Sequence, residues 1–128
     1  MDDLKKRIRT FLREFKRIAV DRGIDVIPRR KNIIALSELG LTKKNRRDEI
    51  LALSVQNYCS GPEPDYDRPG EVWMFGEQIG DTNIYIKLKI AKVGDKKIAK
   101  CLAFHPAEFS ICYPCKEEAE EKEGRGGE

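Results

Sequence analysis

The sequence predicts an α+β domain in which N-terminal helices pack on a small antiparallel sheet. Apolar residues recur at helical spacing through the first 22 residues. Three later segments are predicted as strands, 71–76, 82–93 and 97–105, and apolar and polar residues alternate most clearly in NIYIKLKI (83–90). The stretch SGPEPDYDRPG (60–70) separates helices from strands. We interpret it as a loop within one domain, because neither side of it is long enough to fold alone.

The first helix is predicted over residues 2–22, because Gly23 is a natural helix stop. Its outer face carries a series of basic residues: Lys5, Lys6, Arg7, Arg9, Arg13, Lys16, Arg17 and Arg22. A solvated surface and a nucleic-acid footprint both explain such a face, and the solvated surface is the commoner case.

A short strand (24–27) and two short helices (31–39 and 42–53) are predicted next, the second capped by Thr42. The helix pair resembles a DNA-reading motif, but its second helix is short and its exposed charges are mixed. We therefore do not expect DNA binding there. In EVWMFG (71–76), Trp73 and Phe75 are expected to face the helices.

Charge is distributed unevenly, although the net charge of the 128 residues is only +3. Glutamates concentrate in residues 116–128, which lack the apolar content that orders a chain, so this acidic tail is predicted to be disordered. The folded domain is predicted to be residues 1–115. No stretch has the pattern of a membrane span or a signal peptide, so we expect a cytoplasmic protein that makes no membrane contact.

The length of the turn around Gly94-Asp95 decides which residues share a face of the hairpin. A two-residue loop would place His105 on the aliphatic face. A three-residue loop would pair Val93 with Lys97 and place Tyr85 opposite His105. We expect the three-residue loop, because it buries more apolar surface.

The expected register unites four apolar residues on one face: Ile86, Leu88, Leu102 and Phe104. On the other face it sets Lys87 opposite Ala103 and Lys89 opposite Cys101. Small side chains, including Ala99, would then line a shallow basic groove beside the tyrosine and the histidine.

Tyr85, Lys87 and His105 bring together the groups that RNA cleavage by attack of the 2′-hydroxyl requires without a metal. Imidazole exchanges protons near neutral pH. An ammonium group neutralises phosphate, and a phenol donates to a phosphate oxygen or stacks under a base. We name these three as candidate catalytic residues and Lys89 and Arg68 as RNA contacts. A surface histidine beside a lysine without any catalytic role is the open alternative.

Five stretches resemble the MqsR family of toxins from type II toxin–antitoxin systems: LSELGL (36–41), EILALSVQNY (49–58), EVW (71–73), YIKL (85–88) and FHPAE (104–108). The resemblance spans about residues 5–114. It implies a fold similar to the RelE-type toxins. It also implies a sequence-selective mRNA endonuclease (an mRNA interferase) that uses no cofactor and is neutralised by a DNA-binding antitoxin.

In this resemblance Tyr85 matches the active-site tyrosine of the family, and Tyr58 matches an aromatic residue beside the cleft, which makes Tyr58 a third candidate RNA contact. His105 falls where known members carry a lysine. Cys59 and Met74 replace a family lysine and glutamine. The resemblance therefore implies that catalysis in this chain depends more strongly on Tyr85, Lys87 and His105 than in those members. The RNA sequence that family members cleave cannot be transferred to this chain.

Two other patterns favour structural roles. Cys112 and Cys115 have the spacing of half a zinc site or a redox pair, although structural thiols are the commoner case. The carboxylates of Glu63, Asp65 and Asp67 suit turn chemistry better than a cation site. We expect no metal. A non-catalytic RNA- or ribosome-binding module and a protein-interaction subunit remain alternative functions.

Overall fold

The computed structural model describes residues 2–116, and Asp2 by its backbone alone. In this range it contains three α-helices: α1 (Asp2–Arg22), α2 (Arg30–Leu39) and α3 (Lys43–Leu51). A 3₁₀ turn (Val55–Asn57) follows α3. The strands are β1 (Ile24–Val26), β2 (Tyr58–Pro64), β3 (Glu71–Ile79), β4 (Thr82–Val93) and β5 (Lys96–Pro106). The predicted α+β class is confirmed.

The five strands form one mixed sheet with the order β1-β5-β4-β3-β2. β1 runs parallel to β5, so the prediction of a purely antiparallel sheet is wrong. β2 occupies residues 58–64, part of the segment predicted as a loop. An edge strand tolerates its two prolines, because one side of an edge strand makes no ladder hydrogen bonds. No helix within residues 2–116 is long and apolar enough to cross a membrane.

One face of the sheet packs on α1 and forms the main core. Ile8, Leu12 and Phe15 of α1 are buried there against the sheet. Trp73 and Phe75 face this core, as predicted, and Phe11 stacks on Trp73 with ring centroids 5.1 Å apart. Most basic residues of α1 are exposed, but Arg7 lies over the Trp73 ring (5.7 Å to the ring centroid) and Lys16 Nζ donates to the carbonyl of Leu53.

Beyond the end of β1, the side chain of Asn32 in α2 forms hydrogen bonds with the backbone of β5. Its Nδ2 donates to the carbonyls of Ile27 (2.9 Å) and Leu102 (3.0 Å), and its Oδ1 accepts from the backbone N–H of Phe104 (3.0 Å). A buried amide is stabilised when its donors and acceptor are all satisfied. These contacts fix α2 beside the end of β5 that carries His105.

A β-bulge changes the register of β4 and β5 halfway along the hairpin. Beside the turn, Val93 pairs with Lys96, so the expected three-residue loop is wrong. Gly94 has the positive φ (63°) that two-residue hairpin turns require. Beyond the bulge the structure confirms the expected pairs Tyr85–His105, Ile86–Phe104 and Lys87–Ala103. One extra residue, Leu102, accommodates both the tight turn and this distal pairing.

The bulge redistributes side chains between the two faces. Leu88 pairs with Cys101, and Lys89 pairs with Lys100 instead of the expected Cys101. Ala99 and Cys101 face the helices and do not line a groove. Leu102 is buried as expected but faces the other side, with Val72 and Met74. The remaining expected apolar residues are buried in the main core: Ile86, Leu88 and Phe104.

The segment after β5, which we call the C-terminal strap (residues 107–116), crosses the sheet. Ala107 N donates to Asn83 O at 2.9 Å, and Cys115 is buried in the main core. Between them the strap passes over Gly76. A Cβ at Gly76 would lie 2.7 Å from Tyr113 Oη and 2.8 Å from Ile111 Cδ1, so only glycine allows this approach. Apart from Lys116, the tail predicted to be disordered lies outside the described residues.

Candidate active site

The face of the sheet opposite α1 carries the predicted polar residues, and we call it the site face. It is defined by Tyr85, Lys87 and Lys89 of β4 and His105 of β5. Tyr85 and His105 are direct cross-strand neighbours, with ring centroids 5.9 Å apart. Lys87 follows Tyr85 on the same face, because side chains alternate along a strand. The three candidate catalytic residues therefore lie together.

The ring of His105 is oriented by the backbone that follows it. Its Nδ1 lies 2.9 Å from the carbonyl oxygen of Pro106. A carbonyl only accepts, so this hydrogen bond requires a proton on Nδ1 and leaves the lone pair of the neutral ring on Nε2. In this tautomer Nε2 is the atom that accepts a proton from a ligand.

Tyr85 is held as a neutral phenol. Burial raises its pKa, and the nearby Cys59 and Glu63 add to the shift because negative charge on them opposes ionisation. On β3 its cross-strand neighbour is Gly76, over which the C-terminal strap passes. The phenol is therefore a hydrogen-bond donor across the neutral pH range.

Lys87 is partly buried between Ala103 of β5 and Met74 of β3, its two cross-strand neighbours. Neither neighbour carries a charge. Among residues 2–116, no carboxylate forms an ion pair with Lys87. Its ammonium group is therefore available to an anion that binds beside Tyr85 and His105.

Lys89 is not available as an RNA contact, which corrects the prediction. Only 3% of the residue is exposed, and its Nζ donates to Asp65 Oδ2 at 2.6 Å. Gly70 lies over its side chain. The Lys89 ammonium and the backbone N–H of Asp67 lower the pKa of Asp65 to about 2. Lys89 therefore anchors the loop 65–70 on the site face rather than binding a ligand.

Tyr58 lies on the opposite side of the sheet from the candidate catalytic residues, so it is not beside their cleft as the resemblance implied. It pairs with Phe75, whose side chain faces the helices, and pairing residues share a face. Only 5% of it is exposed, and its hydroxyl donates to Gly61 O at 2.6 Å. Tyr58 is therefore a core residue and not an RNA contact, which corrects the prediction.

Arg68 is exposed at one wall of a groove of about 610 Å³ on the site face. Arg29, Lys92 and Lys100 also line this groove, together with the Asp67 carboxylate and the Lys89–Asp65 ion pair; because cations outnumber carboxylates, we call it the cationic groove. Lys100 lies 3.6 Å from Asp25. Arg29 and Lys92 were not predicted, because they converge only when β1, β4 and the 65–70 loop are in place. The groove presents several positive charges to a polyanion.

Phe109 is a further residue that sequence reasoning missed. It is 55% exposed, and its ring lies 5.3 Å from that of Tyr85, at an interplanar angle of 67°. The only sequence signal is its position directly after FHPAE (104–108). A fold in which the chain turns back over the sheet is needed to bring it to Tyr85.

The cysteines do not form a cluster in the described part of the chain. All four thiols are free; Cys101 and Cys115 are buried and Cys112 is exposed. Burial raises the pKa of Cys101 to about 12, so this thiol is unreactive near neutral pH. Within residues 2–116, no three histidine, cysteine or carboxylate side chains are grouped so that they could hold a metal ion.

Comparison of this chain with protein-family models, curated proteins and solved structures found no match. The resemblance to the MqsR family therefore stays a prediction, based on the motifs quoted above. The geometry of Tyr85, Lys87 and His105 is the basis on which a function is proposed.

Proposed function

We propose that this protein is a metal-independent endoribonuclease that cleaves single-stranded mRNA, as the toxin of a type II toxin–antitoxin pair. The observation that carries the proposal is the cross-strand apposition of Tyr85 and His105, with Lys87 next on the same face. These side chains supply proton transfer, a neutral donor and a positive charge at one place.

In the proposed reaction, His105 Nε2 removes the proton of a ribose 2′-hydroxyl, and the 2′-oxygen attacks the adjacent phosphorus. Lys87 and the Tyr85 hydroxyl stabilise the charge that develops on the phosphate oxygens. The bond from phosphorus to the 5′-oxygen breaks, and that oxygen takes a proton from the imidazolium or from water. The products are a 2′,3′-cyclic phosphate and a 5′-hydroxyl.

Cleavage of single-stranded RNA in excess EDTA tests the proposal. Wild-type protein should cut, and a strand with 2′-O-methyl groups should resist, because it lacks the attacking hydroxyl. His105→Ala should reduce cleavage by about 10²–10⁴-fold, the usual contribution of general acid–base catalysis. Wild-type rates in His105→Ala would refute the role of the imidazole, and inhibition by EDTA would refute the metal-independent mechanism.

A non-catalytic RNA- or ribosome-binding module is the second candidate function, and the cationic groove favours it. Arg29, Arg68 and Lys92 can bind a phosphate backbone without any chemistry. Under this alternative, RNA binds but no product forms at any protein concentration. The proposed antitoxin partner is tested separately, by whether the product of an adjacent reading frame forms a stable complex and stops cleavage.

A further inference from the structure

Phe109 lies beside the candidate catalytic residues without being part of the core. Its ring meets Tyr85 in an edge-on arrangement at 5.3 Å, and Tyr85 in turn is 5.9 Å from His105. Three rings from β4, β5 and the C-terminal strap are thus adjacent. More than half of Phe109 nevertheless remains exposed to solvent.

Contacts on both sides hold Phe109 in this exposed position. On one side, Glu108 forms an ion pair with Lys31 of α2. On the other, Ile111 packs against Gly76, where any side chain would prevent the approach. Burial of a phenylalanine ring is stabilising, and this position gives up more than half of that gain. A largely exposed aromatic ring is therefore held next to Tyr85.

Stacking is the interaction that such a ring offers to RNA. Every nucleobase has a π-face, and single-stranded nucleic acid binds proteins through bases stacked on aromatic side chains. RNA whose phosphate binds beside Lys87 also brings its bases to the part of the site face that carries the Tyr85 and Phe109 rings. Among the large exposed apolar side chains of the described residues, Phe109 is the one in contact with the Tyr85 ring. The others are Val20, Ile33, Tyr66 and Val93.

We propose that Phe109 and Tyr85 form a nucleobase-binding site, in which a base next to the cleaved phosphodiester stacks on Phe109. This inference rests on the proposed function, because it takes single-stranded RNA as the ligand. In this site Phe109 positions the RNA and takes no part in proton transfer.

Two strands of equal length test the site by fluorescence anisotropy. One is a mixed-sequence 2′-O-methyl RNA of about 12 nucleotides, which cannot be cleaved, and the other is an abasic strand with the same phosphates. Phe109→Ala should weaken binding of the base-containing strand by roughly 5- to 150-fold, the range for one stacked base, and leave the abasic strand unaffected. Phe109→Trp should bind as wild type does, whereas Phe109→Leu should resemble the alanine variant. Val20→Ala, an exposed apolar change on α1, is the matched control.

Each other outcome refutes the site in a distinguishable way. If wild-type protein binds neither strand, the proposed function and this inference fail together. If wild-type protein binds and Phe109→Ala is unchanged, only the inference fails. Equal losses on both strands would show that Phe109 acts through the fold or the phosphate path, and this would also overturn it. RNA binding that survives Phe109→Ala while antitoxin binding is lost would assign the ring to a protein interface instead.

Discussion

Lys87 and Lys89 lie two residues apart on one strand and one face, yet their surroundings differ completely. Lys87 has uncharged cross-strand neighbours and sits next to Tyr85 and His105. Lys89 is buried under the 65–70 loop and paired with Asp65 at 2.6 Å. The two ends of the site face therefore have different tasks. At one end the Lys87 ammonium forms no ion pair within the described residues, and at the other the Lys89 ammonium holds the fold.

Lys87→Ala should give the largest effect on activity. We expect single-turnover cleavage to fall by about 10²–10³-fold, because a positive charge aimed at the developing phosphate charge is lost. Thermal unfolding should change little, because no ion pair with a described residue is broken. A variant that unfolds early would instead show that Lys87, like Lys89, is structural, and the contrast between them would disappear.

Lys89→Met should give the largest effect on stability. The change keeps the apolar stem but leaves the Asp65 carboxylate without its partner, which costs about 2–4 kcal/mol. For a domain of this size the melting temperature should fall by roughly 8–16 °C. Cleavage at a temperature where the variant is folded should stay close to wild type.

The double variant Asp65→Asn/Lys89→Met provides the control for this pair. Removal of both charges should restore part of the lost stability, because no charge remains buried alone. A stable Lys89→Met protein with weakened RNA binding would contradict the assignment. It would show that Lys89 leaves Asp65 and contacts phosphate.

The contrast between these lysines also shows what sequence reasoning can reach. The alternation in NIYIKLKI (83–90) placed both on the polar face, and the Tyr85–His105 pair followed from the expected register. The fate of Lys89 depends on Asp65, 24 residues away in a Pro-rich loop. No local pattern indicates which carboxylate folds over which lysine. The bulge at Leu102 was also missed. Each of the two uninterrupted registers gives the observed pairs in only one half of the hairpin, and no local pattern indicates that the register changes between them.

Glu77 provides the opposite case to Asp65, as a carboxyl that no cation among residues 2–116 pairs with. Its Oε2 is buried with no hydrogen-bond partner in the described residues. Burial and the neighbouring Glu49 carboxyl raise the pKa of Glu77 to about 8. The folded protein thus retains a proton that the unfolded chain releases near its ordinary pKa of 4.5. Stability should therefore fall as pH rises from about 4.5 to about 8.

Glu77→Gln should remove this pH dependence, because the amide does not ionise. Since the carboxyl is only partly buried, we expect a gain of about 1 kcal/mol near pH 8 and almost none near pH 4.5. Denaturant unfolding at the two pH values measures the difference. A parallel loss at both values would mean that the amide disturbs the packing, and it would leave no role for the titration.

The cationic groove should give the smallest effect, and one that appears mainly in salt dependence. The logarithm of RNA affinity falls with the logarithm of salt concentration by about 0.7 for each phosphate contact on a single strand. Arg68→Ala should therefore lower this slope by about 0.7 and leave cleavage chemistry unchanged. Arg13→Ala on the outer face of α1 is the matched control, because it removes the same charge from the opposite side of the protein. An unchanged slope in Arg13→Ala would identify the basic face of α1 as a solvated surface. An equal decrease in both variants would instead mean that RNA contacts both sides of the molecule, and the groove at the Lys89 end would lose its special role.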